Sequence, residues 1–153
     1  MSSWYGAHAS WWVPLEAAAR RRFGTDLQHD YRCDHLVYTL TDLQVPGTPP
    51  TVDVRILFWA QPGYNTFGLA PEDFPRVHAE PGAASPHRHG DDALCLWSPF
   101  DPIEQRWHHQ LGLLDLIEIT RRHLGMERYW RMTGGHRGGV WLLAEAPHGI
   151  PAA

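Results

Sequence analysis

Cysteine is scarce in this chain: Cys33 and Cys95 are the only two in 153 residues. Two thiols cannot knit a small secreted scaffold, so a disulfide framework is excluded and a cytoplasmic setting is expected. Long apolar runs are also missing, which argues against a membrane partner or a spanning helix. No signal peptide is expected either, because Trp4, Tyr5, Trp11 and Trp12 precede the first basic cluster and no apolar core follows a charged start. Excess positive charge is absent. The formal net charge is −4 with neutral histidines, so nucleic acid is not an expected partner. The basic runs Arg20-Arg21-Arg22 and Arg121-Arg122 lie near the ends of predicted helices, where they complement the helix dipole. A nucleotide-binding loop is missing too. The glycine-rich stretch Gly134-Gly135-His136-Arg137-Gly138-Gly139 lacks the Lys-Ser/Thr ending and opens no helix after a strand, so it reads as a flexible connector.

What is present describes an ordinary globular domain. Hydrophobic residues make up 43% and charged residues 20%, enough to build one core. The 8 tryptophans are unusual for this length. Most are expected to fill the core. Trp4, Trp11 and Trp12 stand ahead of the first predicted helix. They either anchor a partner or fold back on the core. The 11 histidines make the net charge steep near pH 6 without assigning a function.

The pattern predicts one α+β domain over residues 1–153, with 1–12 as an N-terminal extension and 140–153 as a tail. Pro14 suits a first helical position, so a helix is predicted over 15–23 and ended by Gly24. Alternation predicts strands over 31–43 and 51–60, the second with Val52, Val54, Ile56 and Phe58 on one face. Cys33 then falls on the first strand as a structural residue. A short strand is predicted over 76–80, followed by a loop over 81–92 and a small apolar island over 94–97. Ile103, Trp107, Leu111, Leu114 and Ile117 recur at helical spacing and predict a long helix over 102–123. Gly125 is expected to break it before a short helix over 126–132.

Cys95 is the residue most suited to chemistry. A thiolate is a strong nucleophile near neutral pH when something lowers its pKa or exposes it. The competing reading is a small buried hydrophobe. His87, His89, Asp91 and Asp92 gather just ahead of it in a turn-forming loop. A metal site built on His87, His89, Cys95, His108 and His109 has the right ligand types. No closed zinc spacing matches it, however, and adjacent helical histidines point apart. Neither a metal nor any other cofactor is expected.

The ordered set Phe74-Pro75-Arg76-Val77, Ser85-Pro86-His87 and Leu94-Cys95-Leu96 resembles the core of the ubiquitin-conjugating (UBC-like) enzymes. That family has an aromatic-Pro turn, a Pro-x-Val strand, a His-Pro-Asn turn and an active-site Leu-Cys-Leu. Trp107 matches the tryptophan that follows the cysteine, and the likeness covers roughly residues 11–124. It implies the UBC-like α+β fold: an N-terminal helix, an antiparallel β-meander, an active-site loop, then a crossover helix plus a short helix. It also implies a cysteine transferase in which Cys95 carries an acyl group as a thioester. His87 stands where the family has asparagine, so the resemblance makes it the oxyanion donor or local base. His89, Asp91 and Asp92 would shape the loop, suppress the acceptor lysine's pKa, or do neither. Asp92 departs from the family's glycine. The ending Tyr129-Trp130-Arg131-Met132-Thr133-Gly134 is more similar to bacterial members found in anti-phage operons, including cyclic-oligonucleotide (CBASS-type) signalling systems. This implies a donor protein with a C-terminal glycine: a cGAS-like nucleotidyltransferase or a ubiquitin-like protein. No adenylating domain is expected within these residues, so a separate activating enzyme, or chemistry outside the ATP-driven route, would be expected to load it. A UBC-like adaptor without catalysis is the second reading.

Overall fold

The computed structural model describes residues 3–142. Helix α1, Ala9–Phe23, precedes a four-stranded antiparallel meander of β1 (Leu27–Tyr31), β2 (His35–Gln44), β3 (Thr51–Trp59) and β4 (Arg76–Ala79). The strands lie in the spatial order β1-β2-β3-β4. An irregular stretch then leads to helix α2, Leu113–Met132. The architecture is α+β.

Helix α1 starts earlier than Pro14 predicts. The N–H groups of Trp11 and Trp12 both bond the His8 carbonyl, at 2.9 and 3.2 Å. Pro14 therefore lies inside the helix. It removes one backbone bond, to Ser10, on the exposed side of the helix. The helix turns Leu15, Glu16 and Ala19 inward. Gly24, at φ 55°, ends it.

The strands follow the period-two rule. Val52, Val54, Ile56 and Phe58 alternate into the core from β3, opposite Leu36, Tyr38 and Leu40 of β2. The strand predicted over 31–43 is β2, which begins four residues later, and β1 before it is not predicted. Strand β1 buries only Leu27, and its other residues are exposed. An edge strand of that kind has almost no hydrophobic signal. Cys33 sits in the exposed turn between β1 and β2, and is not a structural strand residue.

The helix predicted over 102–123 is displaced. Residues 102–111 form two short 3-10 turns and extended chain, and Ile103 and Leu111 are 53% and 45% exposed. Gly112 at φ 87° begins α2. Trp107 is buried in the irregular stretch, where its Nε1 donates to the Gly112 carbonyl at 2.8 Å. Gly125 does not break the chain into two helices. A Cβ there would lie 3.5 Å from Pro46 of the β2–β3 loop, an ordinary packing contact. One 20-residue helix therefore replaces the predicted crossover helix and short helix.

The glycine-rich stretch is a wound turn, not a loose connector. Gly135 N–H bonds the Trp130 carbonyl and Gly139 N–H bonds the Gly135 carbonyl, both at 2.8 Å. A Cβ at Gly139 would meet the Trp130 carbonyl at 2.5 Å, so only glycine fits. The turn sends Trp141 back against His87 and His123. The N-terminal tryptophans fold back too: Trp4 stacks on Tyr31, and Trp11 meets Phe58 edge-on. Of the predicted tail, residues 143–153 lie outside the described residues. Among the described residues no helix is long and apolar enough to cross a membrane.

Candidate active site

The site is a tight hairpin hung on the edge of the sheet. After β4, the chain reverses through Glu80 and Gly82, both at positive φ. Ser85 then accepts the His87 N–H on its Oγ at 3.0 Å, which fixes the turn around Pro86. Arg88 and Leu94 pair as an antiparallel bridge. Inside it, His89 N–H bonds the Ala93 carbonyl at 2.8 Å and Asp92 N–H bonds the His89 carbonyl at 3.0 Å. Leu94 N–H docks the return limb on the Val77 carbonyl of β4 at 2.8 Å, and Cys95 N–H bonds the His87 carbonyl at 3.0 Å. Pro75-Arg76-Val77 and Leu94-Cys95-Leu96 are therefore adjacent in space as well as ordered in sequence.

Cys95 is only 4% exposed. Its Sγ lies 3.5 Å from His89 Nδ1. Burial pushes the thiol up to about 11, and Asp91 and Glu127 add to this while the Arg76 guanidinium opposes it. Burial also drives His89 down to about 4, reinforced by Arg76 and opposed by Asp91. At neutral pH the two groups thus meet as thiol and neutral imidazole. A resting thiolate–imidazolium pair is far uphill in this closed arrangement.

His89, rather than His87, is the imidazole beside the sulfur. The His87 ring packs edge-on against Trp141 at 4.4 Å between centroids, and its backbone carbonyl is the part that holds Cys95. Asp91 accepts Arg76 Nε at 2.9 Å and the Ala93 N–H at 3.1 Å. Asp92 accepts the Gly82 N–H at 2.8 Å and Arg88 Nη1 at 3.0 Å. These two partners hold the Asp92 carboxyl below its usual range, the Gly82 N–H first. Asp92 stands at φ 69°, the left-handed region where a glycine would sit at ease. Both carboxylates therefore build the hairpin through ion pairs.

Sequence reasoning missed the arginines that fasten this hairpin. Arg76 lies with its guanidinium 3.8 Å above the Tyr64 ring, while Tyr64 O–H donates to the Phe74 carbonyl at 2.6 Å. Arg88 reaches across to α2 and makes a two-pronged contact with Glu127, at 2.9 and 2.8 Å. Glu127 is fully buried and also meets His123 Nε2 at 3.3 Å. A clue was available for Arg76, a charged residue beside buried Val77 in a short strand. None existed for Arg88 and Glu127, which lie 39 residues apart.

Of the candidate metal ligands, His89 and Cys95 meet, but His87 and His109 turn to other partners. His109 Nδ1 pairs with Asp73 at 2.7 Å, and His87 faces Trp141. Among the described residues no group of three or more His, Cys, Asp or Glu side chains could hold a metal ion. No family model matches the chain, and no solved structure matches it.

Proposed function

We propose that this protein is a bacterial, cytoplasmic UBC-like acyl carrier, and that Cys95 forms a thioester with the C-terminal glycine of a partner protein in anti-phage defence. The observation that carries the reading is spatial. The Pro75-Arg76-Val77 strand, the Ser85-Pro86-His87 turn and the Leu94-Cys95-Leu96 limb form one hydrogen-bonded unit, behind a helix and a four-stranded meander. The partner is a cGAS-like nucleotidyltransferase or a ubiquitin-like protein. Its glycine arrives activated, as an acyl-adenylate or a thioester on a separate activating enzyme. Cys95 thiolate attacks the glycyl carbonyl, the S–C bond forms, and the nucleotide or thiol leaves. An acceptor nucleophile then attacks the same carbonyl, the S–C bond breaks, and Cys95 returns to its thiol. His89 takes the proton from sulfur as the thiolate forms. The His87 ring is the local group for the developing oxyanion, since the Cys95 N–H is already given to the His87 carbonyl.

A high thiol pKa suits holding more than attacking. Nucleophilicity per thiolate rises with pKa, and so does the resistance of the thioester to loss of its sulfur. The burial of Cys95 also favours a second reading: an adaptor that keeps the UBC-like fold for binding and uses the cysteine as a core residue. Expression with neighbouring operon proteins, followed by intact mass and non-reducing gels, separates them. The carrier gives a thiol-sensitive adduct that becomes a stable ester on Cys95→Ser and vanishes on Cys95→Ala. The adaptor gives no adduct in any background, and its Cys95 resists iodoacetamide.

A further inference from the structure

The chain contains no lysine: all 13 of its Lys/Arg positions are arginine. Lysine is among the commonest residues of globular proteins, so its complete absence calls for a reason. At three buried positions geometry supplies one. Arg76 stacks on Tyr64, Arg88 grips Glu127 with two nitrogens, and Arg128 reaches Glu80 together with the Pro46 and Pro49 carbonyls. An ammonium could not reproduce those planar contacts. The same argument fails at the surface. Arg21 and Arg22 on α1, Arg55 on β3, and Arg121 and Arg122 on α2 are exposed. Of these, Arg121 makes one ion pair, to Glu118 at 3.3 Å, which a lysine would serve as well.

What separates the two side chains at such positions is nucleophilicity. A lysine amine loses its proton near pH 10.4 and then attacks thioesters, whereas a guanidinium stays protonated and does not. We propose that the chain is kept free of side-chain amines so that an acyl group on Cys95 passes only to another molecule. The inference rests on the carrier reading and adds the class of acceptor: a nucleophile supplied in trans. The forbidden step is S-to-N transfer within the carrier. There the amine nitrogen bonds the glycyl carbonyl, the S–C bond breaks, Cys95 leaves as thiolate and takes up the proton that the amine releases. No redox partner is needed, and the product is a dead-end amide.

The hairpin tip offers a clean test. Gly90 is exposed, one residue from His89, and a side chain there meets nothing within 4 Å. In a Cys33→Ser background, Cys95 is loaded from a synthetic peptide ending in a glycine α-thioester, and intact mass is read before and after dithiothreitol. The parent protein should carry a thiol-labile adduct only. Gly90→Lys, or Ala84→Lys on the neighbouring exposed turn, should convert it to a dithiothreitol-stable adduct of the same mass on the new residue. An amine held next to the carbonyl should shorten the thioester half-life about tenfold or more. Gly90→Arg and the distant Arg22→Lys should behave like the parent. The proposal is overturned if free lysine discharges the parent thioester while neither hairpin variant modifies itself, or if the parent already accumulates a stable adduct. A parent that never loads Cys95, even after mild denaturant loosens the hairpin, defeats the carrier reading itself.

Discussion

Removing the Glu127 carboxylate should loosen the whole hairpin. Glu127 is fully buried on α2 and accepts both prongs of Arg88, a contact from His123 and a hydrogen bond from Ser85. Burial alone would raise its pKa. The Arg88 and His123 contacts outweigh this and pull it down to about 2 from its ordinary 4.5. In Glu127→Ala the Arg88 guanidinium stays buried with only Asp92 and the Glu80 carbonyl for company. Stranding one member of a buried pair costs about 3–5 kcal/mol. For a domain of this size that is a fall in Tm of roughly 6–20 °C. The pH dependence gives a sharper check. The folded pKa lies below the unfolded one, so the contribution is fully present above about 4.5 and is lost as pH falls toward 2. Its full size is roughly 3 kcal/mol. Urea unfolding of wild type and Glu127→Gln from pH 7 to pH 2.5 should show the gap between them closing below pH 4.5. Iodoacetamide should also reach Cys95 faster in either variant. A Glu127→Gln protein as stable as wild type at pH 7, or a gap that stays constant on acidification, would refute the reasoning.

Three further outcomes follow from the same geometry. Iodoacetamide should label exposed Cys33 quickly and Cys95 slowly, with the Cys95 rate still climbing toward pH 11; Cys33→Ser removes the fast phase, and a Cys95 plateau below pH 9 would contradict its burial. His89 is held near 4 while its unfolded value is about 6.5, so the unfolded state takes up protons first and stability should fall as pH drops from 6.5 to 4; His89→Gln should flatten that limb of a Tm-versus-pH curve, to which His78, also lowered by burial, adds in the same direction. Gly125→Ala should raise the urea midpoint by the equivalent of about 0.5–1 kcal/mol, because α2 is continuous and the new methyl fits against Pro46, whereas Gly139→Ala should lower it, because its Cβ collides with the Trp130 carbonyl.

The legible parts of the fold were those where one face is buried and the other is not. Strand β3 alternates cleanly from Val52 to Phe58 and was read to within a residue. Strand β1 was invisible, since a lone buried Leu27 at a sheet edge leaves no alternation to detect. The segment before α2 misled in the opposite direction. Ile103, Trp107 and Leu111 have helical spacing, yet two of them face solvent and only Trp107 is buried, outside any helix. Periodicity records which residues are apolar, not which are inside. Gly125 misled because a glycine inside a continuous helix looks the same in sequence as one that ends a helix. At the site, the loop predicted over 81–92 and the apolar island over 94–97 fold back on each other as one hairpin, a pairing that the order of residues alone does not reveal. The role of each histidine was beyond reach, because it depends on whether Trp141 or Cys95 meets the ring. A residue at position 141 gives no local sign that it will return to His87.

The buried thiol and the lysine-free surface bear on one question, which is where the proposed carrier controls its reaction. A thiol near 11 is overwhelmingly protonated at pH 7, so Cys95 attacks little of what drifts past. Neutral His89 accepts a proton poorly while it stays dry, but less poorly once water enters, because burial is the main cause of its low value. Opening the hairpin would therefore lower the thiol and raise the imidazole together, since desolvation displaces both. The fastenings that oppose opening are Arg88 to Glu127, Arg76 to Asp91 and Leu94 to Val77. A partner that presses on this hairpin would thus switch on the nucleophile by admitting water or its own polar groups. With no lysine on the chain, the same opening exposes the thioester to no side-chain amine of the carrier. Activation and protection then depend on different features, the arginine clamps for one and the missing amines for the other. A clamp variant should therefore load Cys95 faster without forming any dithiothreitol-stable adduct on itself.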